Sequence, residues 1–288
     1  MSRYTFETRL FAILRWVVIA FLVLITLFPF WYMLMMSFTP IQELQLNPGR
    51  LFPALDTLTT STYVDVLRSR EDGGQGFARF MLNSFIAASV TTLVTLLLVI
   101  PAAYAVSRLR FPGRKQLSAL FLLIYMFPAI ILAIPLFVAF SAMGIRESLV
   151  GLVIVYIALT IPVSIYMLRQ YFDTIPPSID EAAIMDGATR LQIMTRITVP
   201  LARPTIISTG LYIFMIAWNE FLFALLFLVA APNLWTVSLG LSQLADGIEI
   251  SKTVLMAGSV LLTIPVIVIY AVAERGLTEG LTAGADKG

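Results

Sequence analysis

The chain has 288 residues, 59% of them hydrophobic and 12% charged, with a mean hydropathy of +0.91. That excess of apolar surface excludes an ordinary water-soluble domain and calls for a bilayer as solvent. A formal net charge of +2 does not point to nucleic acid, and the absence of Cys and His excludes cysteine nucleophiles, Cys/His zinc sites, disulfides and imidazole proton relays.

Six nearly charge-free runs follow in chain order, at about residues 12–38, 80–107, 117–143, 149–169, 205–229 and 253–274. Each reaches about 20 residues, enough for a helix rising ~1.5 Å per residue to cross a ~30 Å hydrocarbon core. Helices are required because backbone polar groups in lipid must be satisfied internally. The expected fold is therefore an all-α integral membrane protein with six transmembrane helices, in one membrane domain covering residues 1–288. The first run follows a basic start, as in a signal peptide. It is too long for one and no small-residue cleavage site follows, so a retained first span is expected. Pro101, Pro128, Pro135, Pro162 and Pro265 fall inside runs and predict kinked or broken helices.

Six spans put both termini on one side. That side carries Arg3, Arg9 and Arg15, then Arg108, Arg110, Arg114 and Lys115, then Arg169, Arg190, Arg196 and Arg203, then Arg275 and Lys287. The other side carries only Arg50, Arg68, Arg70, Arg79, Arg146 and Lys252. The positive-inside rule therefore places both termini in the cytoplasm. The first outer loop, residues 39–79, is polar, and its Glu71-Asp72-Gly73-Gly74 patch reads as flexible. Residues 144–148 read as a tight outer turn. The last outer loop, residues 230–252, mixes Trp235, Gln243, Asp246 and Glu249; it suits either contact with a partner or plain connection.

Glu220 is the one charge in the fifth run. An ionisable group at membrane depth faces the bundle interior or a water-filled cavity. Trp218-Asn219-Glu220 is thus either a polar patch on a substrate path or a structural hydrogen bond between helices. Asn83, Tyr104, Tyr166 and Asn219 add polar and aromatic surface suited to a hydroxylated solute, or serve as glue between helices. No Gly-x-x-x-x-Gly-Lys-Ser/Thr, Gly-x-Ser-x-Gly or His-Glu-x-x-His pattern is present. One buried acid is meagre for a proton-coupled carrier. An active transporter of this composition would draw its energy from another chain. A carrier or channel working alone, and a membrane scaffold, are the competing readings.

The longest polar interruption in the second half, residues 173–203, is predicted to lie in the cytoplasm. Ser178 and Glu181 after Pro176-Pro177 have the spacing of a capping box, and Thr189 and Gln192 repeat it. Gly187 lies between them and can take the backbone angles of a sharp bend. Pro200 and Pro204 are expected to end the second helix and begin the next span. An amphipathic hairpin on the membrane surface is one reading. The stiff connections to spans four and five, and the acidic first helix (Asp180, Glu181, Asp186) beside a basic second one (Arg190, Arg196), favour a protein pocket.

At these residues the chain resembles the permease subunits of ABC importers. The Glu-Ala-Ala, Gly, Ile and Pro positions of the family loop are met by Glu181, Ala182, Ala183, Gly187, Ile197 and Pro200, with Asp186 before the glycine; Val199 replaces the usual Leu. Asn83-Ser84, Ala103-Tyr104-Ala105-Val106-Ser107-Arg108, Trp218-Asn219-Glu220-Phe221 and the tail from Gly280 to Gly288 resemble the carbohydrate branch, of the maltose- and trehalose-type second permease. The resemblance implies a prokaryotic plasma-membrane subunit that moves a sugar, such as a disaccharide, by alternating access and is not itself an enzyme. Its implied partners are a second homologous permease, two cytoplasmic ABC ATPase subunits and an extracytoplasmic solute-binding protein. No cofactor is expected on this chain; ATP and Mg would sit on the ATPases. Residues 173–203 would be the ATPase-coupling loop, with Glu181 as its polar anchor. Asn83, Tyr166, Trp218, Asn219 and Glu220 are the candidates for the substrate path. Trp235, Gln243 and Asp246 are those for the binding protein. Gly280, Gly284 and Lys287, in the cytoplasmic tail 275–288, are those for the ATPase interface.

Overall fold

The computed structural model describes residues 3–47, 52, 55–246 and 252–285. Every described regular element is helical. The chain divides into two compact units, residues 1–76 with 243–261, and residues 77–242 with 262–288.

In the first unit, α1 (Arg3–Ser37) is apolar all round from Trp16 onward. Its described side chains stay exposed from Leu10 to Phe30, as in a helix whose solvent is lipid. Short helices α2 (Ile41–Leu46) and α3 (Ser61–Leu67) follow. The Ser37 and Tyr63 hydroxyls are 2.7 Å apart, and the Phe38 and Tyr63 rings pack at 4.9 Å. The patch expected to be flexible is instead a closed turn. Ser69 donates to the Asp72 carboxylate at 2.7 Å, and Gly74 N donates to Ser69 O at 2.8 Å, with Gly73 at φ +80°.

The second unit is built on α4 (Phe77–Arg108) packed along α7 (Leu149–Thr174). Both helices bury small side chains, Ala87, Thr91, Thr95 and Ala103 on one and Gly151, Thr160 and Ser164 on the other. Small side chains let helix backbones approach closely where lipid supplies no hydrophobic drive between helices. The Thr95 and Thr160 hydroxyls meet at 3.3 Å. Helix α11 (Arg203–Asn219) also packs on α4, and Val99, Tyr104, Leu168, Phe172 and Ala202 close the core at one end.

Four described helical segments are long and apolar enough to cross a membrane alone: Leu10–Ser37, Phe77–Arg108, Leu149–Thr174 and Lys252–Glu274. Counting each sharply bent pair as one span raises the number to six. The third expected span is two helices, α5 (Arg114–Met126) and α6 (Ala129–Ala142), bent by 91°. Pro128 forces this break, because the residue before a proline avoids helical angles and Phe127 sits at φ −77°, ψ 126°. Pro101, Pro135, Pro162 and Pro265 lie within unbroken helices. The fifth expected span is also divided, into α11 and α12 (Leu222–Leu228), with Glu220 extended between them.

Residues 230–246, the described part of the expected last outer loop, are more regular than their composition suggests. They hold α13 (Val237–Asp246), whose Val237, Leu239 and Leu244 are buried. Gly240 of α13 faces the Phe80 ring; a Cβ there would lie 2.8 Å from Phe80 Cε2 and closer still to Cδ2. Phe80 is fixed between the Phe77 and Trp235 rings. Gly240→Val is therefore expected to cost about 3 kcal/mol, the upper end of the range for overpacking. It should appear as a lower melting temperature of the detergent-solubilised protein. Helix α14 (Lys252–Ala285) runs past the expected end of the sixth span, so residues 275–285 of the expected tail are helical. No proline falls among them to stop it. Gly280 and Gly284 fall on this helix, whereas Glu249 and Lys287 lie outside the described residues.

Candidate functional site

The polar interruption folds as two helices about a glycine. After Ile175, α8 (Pro177–Met185) begins with Pro176 as its N-cap. The expected Ser178 cap is not formed. Pro177 takes the first helical position, where its missing N–H costs nothing, and this moves Ser178 inside the first turn. Gly187 closes α8 at φ +82°. Its N–H donates to Ile184 O at 2.9 Å, and Ala188 N–H donates to Ala183 O at 2.9 Å. This is a Schellman pair around a left-handed residue, the conformation for which glycine is the natural occupant.

The Thr189 capping box is formed as its spacing predicts. Thr189 N donates to Gln192 Oε1 at 2.8 Å, and Gln192 N donates to Thr189 Oγ1 at 3.3 Å. It starts α9 (Arg190–Ile193), which continues as a π-helical turn over Met194–Thr198 into α10 (Val199–Leu201). Pro200 therefore does not end the helix. The wider π turn immediately before it accommodates a residue that cannot donate a backbone hydrogen bond. The chain breaks at Ala202 instead, and Pro204 opens α11 after a 79° bend.

One face of this element is buried and the other open. Asp180, Ala183 and Ile193 are inside, and Ile197 is half-buried. Glu181, Ala182, Asp186, Gly187 and Pro200 are exposed, beside Ile184, Met185 and Leu191. Met185 is 86% exposed at the bend. An open surface that mixes carboxylates with large apolar side chains suits a protein pocket.

Its inner face is fastened to α4 and α7. Arg108 Nε lies 3.5 Å from Asp180 Oδ2, both side chains 7% exposed, and Arg108 Nη2 donates to Ile175 O at 2.7 Å. Ser107 Oγ donates to Asp173 Oδ1 at 2.6 Å, and Arg169 pairs with Asp173 at 3.4 Å. Tyr171 OH donates to Leu201 O at 2.9 Å. Beside Arg108 opens a cavity of about 500 Å³, lined in part by Arg110, Arg114, Asp180, Glu181 and Arg190. The sequence reading missed the part played by Arg108 and Asp180. Arg108 was visible at the end of an apolar run and of the Ala103–Arg108 stretch that carries the resemblance, but neither signal pointed to Asp180.

The residues proposed for a substrate path do not share one environment. Asn83 is buried and donates to Asn233 O and Trp235 O, each at 3.0 Å. Trp218 is 1% exposed; its indole N–H donates to Leu262 O at 3.2 Å, and its carbonyl accepts from Ser238 Oγ at 3.1 Å. Glu220 caps α12, accepting from Phe223 N at 2.8 Å and Ala224 N at 3.1 Å, and Tyr156 OH donates to it at 2.9 Å. Asn219, which bonds Met215 of its own helix, and Tyr166 are exposed. Of the residues proposed for a binding protein, Trp235 is 8% exposed, with its indole N–H on Leu228 O at 3.0 Å. A ring committed inward in this way is not offered to an outside partner. Gln243 is half-buried on α13, and Asp246 closes that helix. Among the described residues no group of three or more Asp or Glu gathers to hold a metal ion.

Residues 98–278 match the family described as the binding-protein-dependent transport system inner membrane component, and the chain belongs to that family. It is 43% identical over 271 residues to the inner membrane ABC transporter permease protein YcjP of Escherichia coli (strain K12), covering 94% of each chain. It is 38% identical over 267 residues to the trehalose/maltose transport system permease protein MalG of Thermococcus litoralis, covering 92% of this chain and 93% of that one. Its fold matches a chain in the crystal structure of a bacterial ABC transporter that imports the acidic polysaccharide alginate. That match has a TM-score of 0.81 at 26% identity and covers 96% and 98% of the two chains. The chain is thus an inner-membrane ABC transporter permease subunit, and in this family the ATPase is a separate subunit.

Proposed function

We propose that this chain forms part of the pore of an ATP-driven sugar importer, taking a disaccharide such as trehalose or maltose from an extracytoplasmic binding protein. The observation that carries the reading is the α8–Gly187–α9 element, open on the face of Glu181 and fastened on the face of Asp180. Its open face is a socket for a cytoplasmic ATPase. A second permease completes the pathway. Both termini lie in the cytoplasm, on the side with most of the Lys and Arg. ATP binding closes the ATPase pair and displaces α8 and α9. Spans four and five tilt with them, and hydrolysis returns the pathway to its inward-open form. The saccharide class is supported by relatives named for trehalose and maltose and by the alginate importer of like fold.

The test is to purify the tagged chain from its native membrane and reconstitute what comes with it. An ATPase should co-purify. In proteoliposomes, ATP hydrolysis should rise when the binding protein and its disaccharide are added together, more than with a monosaccharide or glycerol. Solute movement through the chain alone, without ATPase, would establish a stand-alone carrier or channel instead. Because the chain has no Cys, an Ala182→Cys variant gives a single thiol on the open face of α8. It should cross-link to the ATPase.

A further inference from the structure

We propose that α4 is a connecting rod, gripped by Arg108 at one end and by Asn83 at the other, which carries movement of the α8–α9 element to the Asn233–Val237 segment. This rests on the coupling role given above to α8, and extends it to a helix that is not its neighbour in the chain.

Each end is held by buried side chains. At the Arg108 end, one guanidinium binds both Asp180 of α8 and the carbonyl of Ile175, where the chain leaves α7. Ser107 adds the bond to Asp173. At the other end, Asn83 binds the carbonyls of Asn233 and Trp235, Arg79 Nε donates to Asn233 O at 3.0 Å, and Ser84 Oγ accepts from Val237 N at 2.8 Å. Helix α4 is an unbroken helix of 32 residues. At ~1.5 Å per residue the stretch from Asn83 to Arg108 is about 38 Å long, enough to pass from one side of a bilayer's hydrocarbon core to the other.

A rod transmits a displacement only if its ends do not slip. Buried charge pairs with accessory hydrogen bonds resist slipping, because an opened pair leaves an uncompensated charge inside the protein. At the Arg108 end neither Arg108 Nε nor Asp180 Oδ1 has a hydrogen-bond partner, so the 3.5 Å ion pair acts together with the Ile175 and Ser107–Asp173 bonds to hold α8 to α4. Coupling between two sites is reciprocal. Whatever docks on the Asn233 side thereby acts on α8, and α8 acts on it.

The experiment uses the whole complex of permeases, ATPase and binding protein in proteoliposomes. It measures the factor by which loaded binding protein stimulates ATP hydrolysis. Arg108→Gln at one end and Asn83→Leu at the other should each lower that factor about tenfold, in complexes that still assemble. Exchanging the charges, with Arg108→Asp and Asp180→Arg together, should recover at least a third of it. A merely structural loss would not be repaired by the exchange. If a single variant fails to assemble, Arg108→Lys takes its place. It keeps the charge and loses the fork, and an intermediate factor is expected. Unchanged stimulation in the Arg108 or Asn83 variants, or an exchange no better than Arg108→Gln, overturns the rod. Failure of Ala182→Cys to cross-link to the ATPase in the otherwise native chain overturns instead the coupling role of α8.

Discussion

Glu220→Ala is expected to destabilise the protein by about 3–5 kcal/mol, because the carboxylate satisfies three donors at a break in a membrane span. The N–H groups of Phe223 and Ala224 sit on residues 1% and 0% exposed, and the third donor is the hydroxyl of fully buried Tyr156. Alanine leaves all three without their side-chain partner. An unmet donor in such a place costs about 1–3 kcal/mol. Glutamine keeps an acceptor oxygen for Ala224 N and Tyr156 OH but turns its amide NH2 toward Phe223 N, so it should recover about half of the loss. Unfolding of the purified protein in a graded detergent titration would show the order wild type, Gln, Ala. A variant that lost sugar uptake with unchanged unfolding would return Glu220 to the substrate path and remove it from the cap.

Glu220 also shows why some of the fold was legible in the sequence and some was not. The long apolar helices α1, α4, α7 and α14 were legible because their signal is local. Twenty residues without charge leave few alternatives in a bilayer. The bend at Gly187 and the cap at Thr189 were legible for the same reason, since each depends on residues within three or four positions. The glutamate in the fifth run was visible, but its partners on α7 and α12 were not. A carboxylate that caps a broken helix and one that faces a solute path leave the same mark in a sequence. Arg108 and Asp180 are separated by four helix ends, and no local pattern announces their pairing. Trp235 and Asn83 looked like surface and pathway groups because polar and amphipathic side chains are usually exposed. Three-dimensional stitching of α4 to the Asn233–Val237 segment overrode that tendency. Ser178 failed as a cap for a local reason of a different kind, as two capping signals overlapped and the proline prevailed.

Gly187→Val should abolish coupling while leaving the membrane fold in place. The two effects separate because nothing lies within 4 Å of the Cβ that a side chain would add. Packing therefore does not oppose the substitution; only the backbone does. At φ +82° an L-residue pays about 1–2 kcal/mol, and a β-branched one more. The relief open to valine is to abandon the left-handed angle. That breaks the pair of hydrogen bonds to Ile184 and Ala183, and swings α9 away from α8. The exposed side chains of the two helices are re-aimed by this, while buried Asp180, Ala183 and Ile193 hold the inner face, so the core formed by α4, α7 and α11 is little changed. Circular dichroism and detergent unfolding should move by no more than about 2 kcal/mol. Sugar uptake, and stimulation of the ATPase by the binding protein, should fall by at least about tenfold, the result of a misaimed contact surface. Asparagine tolerates the left-handed region better than alanine, and alanine better than valine. The graded loss Asn, Ala, Val ties the effect to backbone angle, whereas an effect of side-chain size would put Ala ahead of Asn. Wild-type uptake in Gly187→Val would mean that the bend is not the feature through which the ATPase moves this chain.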